Sequence, residues 1–212
     1  MKRFPSVLTY GAALAFALGM SGVSAADPSA DEIQITNLVF NGSGCPPGHG
    51  ELTVSPDGQS FRLRFDDAFV AELGPGIPLI ESRKNCQIAV TFHVPQGFTY
   101  AVGAIDYRGH ADIADGSFGL QKAIYYFQGQ PQQVSTTRQL DGPFEGNWHF
   151  RDEFDATALV WAPCGVDRTL NINAQVRLAR GTASPQDHSI MEMDTERGRV
   201  EQIFHFHWKA CP

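Results

Sequence analysis

Leu170-Asn171-Ile172-Asn173-Ala174-Gln175-Val176-Arg177-Leu178 alternates apolar and polar residues without a break, and this stretch decides the fold. In an extended chain successive side chains point to opposite sides. Leu170, Ile172, Ala174, Val176 and Leu178 therefore share one face, and Asn171, Asn173, Gln175 and Arg177 share the other. The same period recurs on both sides of it. Ile88, Val90, Phe92 and Val94 oppose Ala89, Thr91 and His93, and Phe204, Phe206 and Trp208 oppose His205 and His207. Each is a strand with one dry and one wet face. Helical spacing of apolar residues is hard to find after residue 30.

Turn chemistry separates these runs. Pro56-Asp57-Gly58 stands between residues 51–55 and 60–65 and predicts a hairpin. Pro95-Gln96-Gly97 leads into residues 98–107, and Asp141-Gly142-Pro143 divides 132–139 from 144–150. Gly74-Pro75-Gly76-Ile77-Pro78 is a loop, because its prolines lack the donor a central strand needs. Short alternating strands between frequent turns predict an all-β fold: an antiparallel β-sandwich, jelly-roll-like or Ig-like. Residues 26–212 carry no repeat and no linker, so they read as one domain.

Residues 1–25 have the form of a secretory signal peptide. Lys2 and Arg3 precede an apolar stretch, and small residues end it at Val23-Ser24-Ala25-Ala26. The apolar part is shorter than the roughly 20 residues that span a bilayer, so no membrane anchor is expected after cleavage. The whole chain has 16 Lys+Arg against 23 Asp+Glu, a net charge of −7, and loss of Lys2 and Arg3 makes it more acidic. That balance argues against nucleic acid as a partner.

Cys45, Cys86, Cys164 and Cys211 are an even set in an exported chain, which predicts two disulfides among three possible connectivities. The nearest two are 41 residues apart, without the close pairs of a zinc site. Cys45–Cys86 with Cys164–Cys211 is the preferred pairing, because each bridge then closes one half of the chain.

Several short words occur in order along the chain: Gly42-Ser43-Gly44-Cys45-Pro46, Arg83-Lys84-Asn85-Cys86, Asp106-Tyr107-Arg108-Gly109, Tyr125-Tyr126-Phe127 with Gly129, Leu140-Asp141-Gly142-Pro143, Cys164-Gly165 and Leu170-Asn171-Ile172-Asn173. From about Leu38 to Cys211 the chain resembles the secreted proteins catalogued as domain of unknown function 4360. The resemblance implies a secreted, disulfide-bonded, β-rich single domain. It implies no activity and carries over no catalytic residue.

Chemistry-bearing groups are few. His205 and His207, two apart on a strand, share a face and suit Zn²⁺ or Cu²⁺ if His149, His93 or Glu192 supplies a third ligand. The plainer expectation is that they form the wet side of a strand whose Phe204, Phe206 and Trp208 fill the core. Carboxylates cluster at Asp66-Asp67, at Asp112 with Asp115, and at Asp152-Glu153 with Asp155. Such groups serve glycoside hydrolysis or calcium in some folds, but here they read as solvated turns. Among the aromatics, Trp148 reads as core, and Tyr125 and Tyr126 point opposite ways, so at most one belongs to an outer patch. No G-x-S-x-G, H-E-x-x-H, P-loop or dinucleotide motif occurs, and no cofactor is expected. Recognition is assigned to loops at 42–50, 74–84, 107–117 and 181–187, with Tyr107, Arg108 and His110 the first binding candidates. The functional expectation is a secreted, non-enzymatic module that binds an extracellular polysaccharide or protein. The alternative is an extracellular carbohydrate-active or metal-dependent hydrolase.

Overall fold

The computed structural model describes residues 27–65, 68–193 and 200–212, so the leader and the Asp66-Asp67 pair lie outside the described residues. Twelve strands follow in chain order: β1 Gln34–Asn41, β2 Gly50–Val54, β3 Ser60–Phe65, β4 Val70–Leu73, β5 Arg83–His93, β6 Phe98–Ile113, β7 Phe118–Phe127, β8 Val134–Asp141, β9 Phe144–Glu153, β10 Thr169–Ala179, β11 Ser189–Glu192 and β12 Val200–Ala210. Two 3₁₀ turns, Ala30–Glu32 and Leu79–Ser82, are the only helical pieces among the described residues. Five strands in the order β1-β5-β10-β7-β8 make one antiparallel sheet. The order β2-β3-β12-β6-β11-β4 makes the other, with β9 paired to the opposite side of β6. The predicted sandwich is the observed fold.

The alternation read from the sequence appears directly as burial. Along β10, Leu170, Ile172, Ala174, Val176 and Leu178 are buried, while Asn171, Asn173 and Gln175 are only partly so. Large aromatics fill the space between the sheets. Phe61 of β3 stacks on its cross-strand partner Phe204 at 4.6 Å between ring centroids, and Phe92 of the opposite sheet meets Phe61 at 5.1 Å. Tyr100, Phe206 and Trp208 extend the cluster. Full burial of each such ring contributes about 1.5–3 kcal/mol, so this cluster is the main joint between the layers.

A polar joint lies at the β8–β9 edge. Asp152 points inward and is buried, and Arg138 of β8 donates to its Oδ1 from Nε at 2.8 Å and from Nη2. The expectation of a solvated turn therefore fails for Asp152. It sits on the inner side of β9, and the neighbouring sheet supplies its cation. Asp112, Asp115 and Asp155 are exposed.

Both disulfides form as preferred, Cys45–Cys86 and Cys164–Cys211, with Cα–Cα distances of 5.3 and 5.9 Å. The halves of the chain that motivated this pairing are not separate units. β5 lies between β1 and β10, and β12 lies between β3 and β6, so each sheet mixes early and late strands.

Candidate functional site

Both sheets turn a polar face to solvent. On the seven-stranded sheet, β6, β9 and β12 bring Asp106, His149, Arg151 and His205 together. Asp106 and Arg151 are cross-strand partners, and His205 stands opposite Ala104. Asp106 is nearly buried although it faces outward, because its neighbours cover it. His149 Nε2 donates to Oδ1 at 2.8 Å, while Arg151 Nη1 and His205 Nε2 donate to Oδ2 at 2.6 and 2.7 Å. Burial alone would raise the Asp106 pKa. The His205 and His149 hydrogen bonds and the Arg151 charge outweigh it and hold the carboxyl below the usual carboxylate range.

Gly103 explains where His207 goes. The β6–β12 register shifts at His205/Phe206, so Gly103 is an extra residue on β6. A Cβ at Gly103 would run into the His207 ring, so the imidazole lies directly on the glycine. His205 and His207 therefore form the wet face, as expected, but they do not converge with a third ligand. His93 pairs with Asp167 at 3.0 Å, and Glu192 lies on β11. Among the described residues, no three His, Cys, Asp or Glu side chains are placed to hold a metal ion.

Tyr107 is a correction. It points into the core, fully buried, with its hydroxyl 3.2 Å from Thr136 Oγ1, and burial pushes its phenol pKa up. It cannot stack on a ligand. The expected loop at 107–117 is strand as far as Ile113. Arg108 is exposed on the outer side of β6, and His110 meets Asn147 with Nδ1 3.1 Å from Oδ1.

The Asp106 cluster has a measurable consequence. Asp106→Asn removes a buried charge that three donors share. Hydrogen bonds to charged groups contribute about 1.5–3 kcal/mol each, but the donors are half exposed and partly screened, so a total loss of about 1–2 kcal/mol is expected. Because the folded-state pKa is lowered, this stability is present above the unfolded value of about 3.9 and disappears as pH falls through the folded value. Urea midpoints of the wild type and the Asp106→Asn variant should differ at pH 7 and converge below pH 4.

The five-stranded sheet presents a different face. β5, β10 and β7 lie side by side at its centre, and their registers align outward residues into rows. Asn85, Gln175 and Lys122 form one row, and Gln87, Asn173 and Ile124 form the next. Arg83 and these residues line a cavity of about 420 Å³, within the roughly 300–1,000 Å³ of ligand pockets. With its carbonyl turned toward Arg83, Gln175 accepts from Nη2 and Nε at 2.7 and 2.8 Å, which leaves its NH₂ to donate elsewhere. Among the described residues, the side chains of Gln87, Asn173 and Lys122 have no hydrogen-bond or ion-pair partner. Tyr126 lies one row beyond Ile124, partly exposed and opposite Asn171, while Tyr125 is buried.

Sequence reasoning missed this site. The amides were legible as the wet side of one strand. The cavity needs β5, β10 and β7 together, and no local pattern specifies that neighbourhood.

Among the described residues no helix is long and apolar enough to cross a membrane. An "Uncharacterized secreted protein" of Arthroderma benhamiae is 40% identical over 191 residues, covering 90% of this chain and 76% of that one. The solved structure of TmCBM61 in complex with beta-1,4-galactotriose covers 87% of this chain and 95% of its own at 9% identity. Its TM-score is 0.28, too low to bear on fold or ligand here. The protein is secreted, in accord with its relative. Residues 31–211 match the family described as Domain of unknown function (DUF4360), and the chain belongs to that family.

Proposed function

We propose that the protein, freed of residues 1–25, is a non-enzymatic binding module that holds an extracellular polysaccharide on the outer face of its five-stranded sheet. The observation that carries this reading is the amide-lined cavity, where Gln87, Asn173 and Lys122 stand without partners among the described residues. An amide offers two donors and an acceptor side by side, a match for neighbouring sugar hydroxyls. Tyr126 adds a ring on which a sugar can rest while its hydroxyl stays wet. Two disulfides and a sandwich core keep these side chains in fixed register, which lowers the ordering cost of binding.

The hydrolase alternative has less support. A glycosidase acid needs a raised pKa at a carboxyl with a free proton to give. Asp106, the carboxylate with the most polar company, is lowered and has three donors on its two oxygens.

The test is retention on a panel of immobilised extracellular polysaccharides, with released reducing ends measured in parallel. Retention without release is expected, weakened at least tenfold by Asn173→Ala or Tyr126→Ala in variants that unfold at the wild-type temperature. Sugar release abolished by a single carboxylate substitution would replace this reading with the hydrolase. Retention on no polysaccharide would end it.

A further inference from the structure

The charge at the centre of the five-stranded sheet's outer face is one-sided, and the acid Asp167 meets this face only at the far end of β5, where it pairs with His93. β1, β5, β7 and β10 contain no Asp or Glu, and the sole acid of the five strands is Asp141, last in edge strand β8, where Gln139 Nε2 donates to it at 2.6 Å. Arg83, Arg177 and Lys122 all face outward on the three central strands. Arg83 and Arg177 are direct cross-strand partners, and Lys122 is opposite Gln175, one row away. Like charges directly opposite destabilise a sheet. A chain with 23 acidic and 16 basic residues has carboxylates to spare, yet among the described residues none stands between these cations. Among the described residues, Arg177 and Lys122 have no ion-pair partner.

Resting on the polysaccharide reading above, we infer that the sugars taken by this face carry carboxylates, so that its ligand is a uronic-acid polysaccharide read by Arg177 and Lys122. The guanidinium of Arg177 presents a planar fork that matches a carboxylate with two parallel N–H···O bonds. Lys122 supplies a point charge inside the cavity, beside the amides that take ring hydroxyls. Arg83 is committed to the Gln175 carbonyl and acts by orienting that amide. An acidic peptide would satisfy the cations but has no ring hydroxyls for Gln87 and Asn173 and no sugar face for Tyr126.

The deciding experiment compares affinity of the intact mature protein for polygalacturonate and alginate, for an ester of each, and for poly-glutamate. Esterification keeps the sugar backbone and removes the charge. Binding to at least one uronate polymer is expected to be tenfold or more tighter than to its ester, and to weaken as salt rises. Arg177→Gln, outside the amide-lined cavity, should weaken uronate binding several-fold and leave ester binding unchanged, and Lys122→Gln should weaken uronate binding more than ester binding. Equal affinity for acid and ester, both lost in Asn173→Ala, would overturn this inference and leave the polysaccharide reading standing. Poly-glutamate bound as tightly as the uronates would overturn both, whereas binding to none of these polymers would overturn this inference and leave the polysaccharide reading to the wider panel.

Discussion

Phe61→Ala is expected to lower the unfolding free energy by about 3–5 kcal/mol, the usual cost of emptying a large aromatic site in a packed core. Phe61 is fully buried and touches both layers: Phe204 and Phe206 belong to its own sheet and Phe92 to the other. The surrounding strands are hydrogen-bonded in register and cannot collapse far into the gap. Denaturant unfolding of the variant measures the loss. A change under 1 kcal/mol would mean that the aromatic cluster does not join the sheets.

Removal of a disulfide should cost a comparable amount. The bridges close loops of 41 and 47 residues, and the chain-entropy relation gives about 4 kcal/mol for loops of that length. Cys164→Ser with Cys211→Ser also releases the chain just after β12, where the Cys211 N–H donates to the Gly97 carbonyl at 2.7 Å. Against a typical domain stability of 5–15 kcal/mol, loss of either bridge removes a large fraction. The unfolding midpoint of each serine double variant, beside that of the oxidised wild type, checks this. Equal midpoints would contradict the account of the framework.

How far the sequence was legible depended on whether the signal was local. The strands β5, β10 and β12 are visible in their period-two patterns because one face of each is dry. Strand order was not visible, since β12 finds β3 and β6 across most of the chain and nothing in its own pattern names them. Asp106-Tyr107-Arg108-Gly109 misled for a definite reason. Residues 107–117 read as a loop, but Gly109 is a strand residue opposite Trp148, and an added Cβ would run into that indole. Tyr107 consequently continues the strand into the core. Asp152 misled similarly, as an acid near other acids whose partner Arg138 comes from the other sheet. His205 and His207 were read correctly as a wet face, while the carboxylate that organises His205, Asp106, was not among the candidates. The cationic amide face was hidden in another way. Each of its strands shows polar residues on one side, but the shortage of acids becomes informative only once β5, β10 and β7 are neighbours.

The central claim is that ligand is held on the outer face of the five-stranded sheet while the core and the bridges serve stability. Backbone amide NMR of the mature protein titrated with uronate oligosaccharides tests it most directly. The account predicts shifts concentrated at Asn85, Gln87, Lys122, Tyr126, Asn173, Gln175 and Arg177. Shifts centred instead on Asp106, His149, Arg151 and His205, across the sandwich, would contradict it.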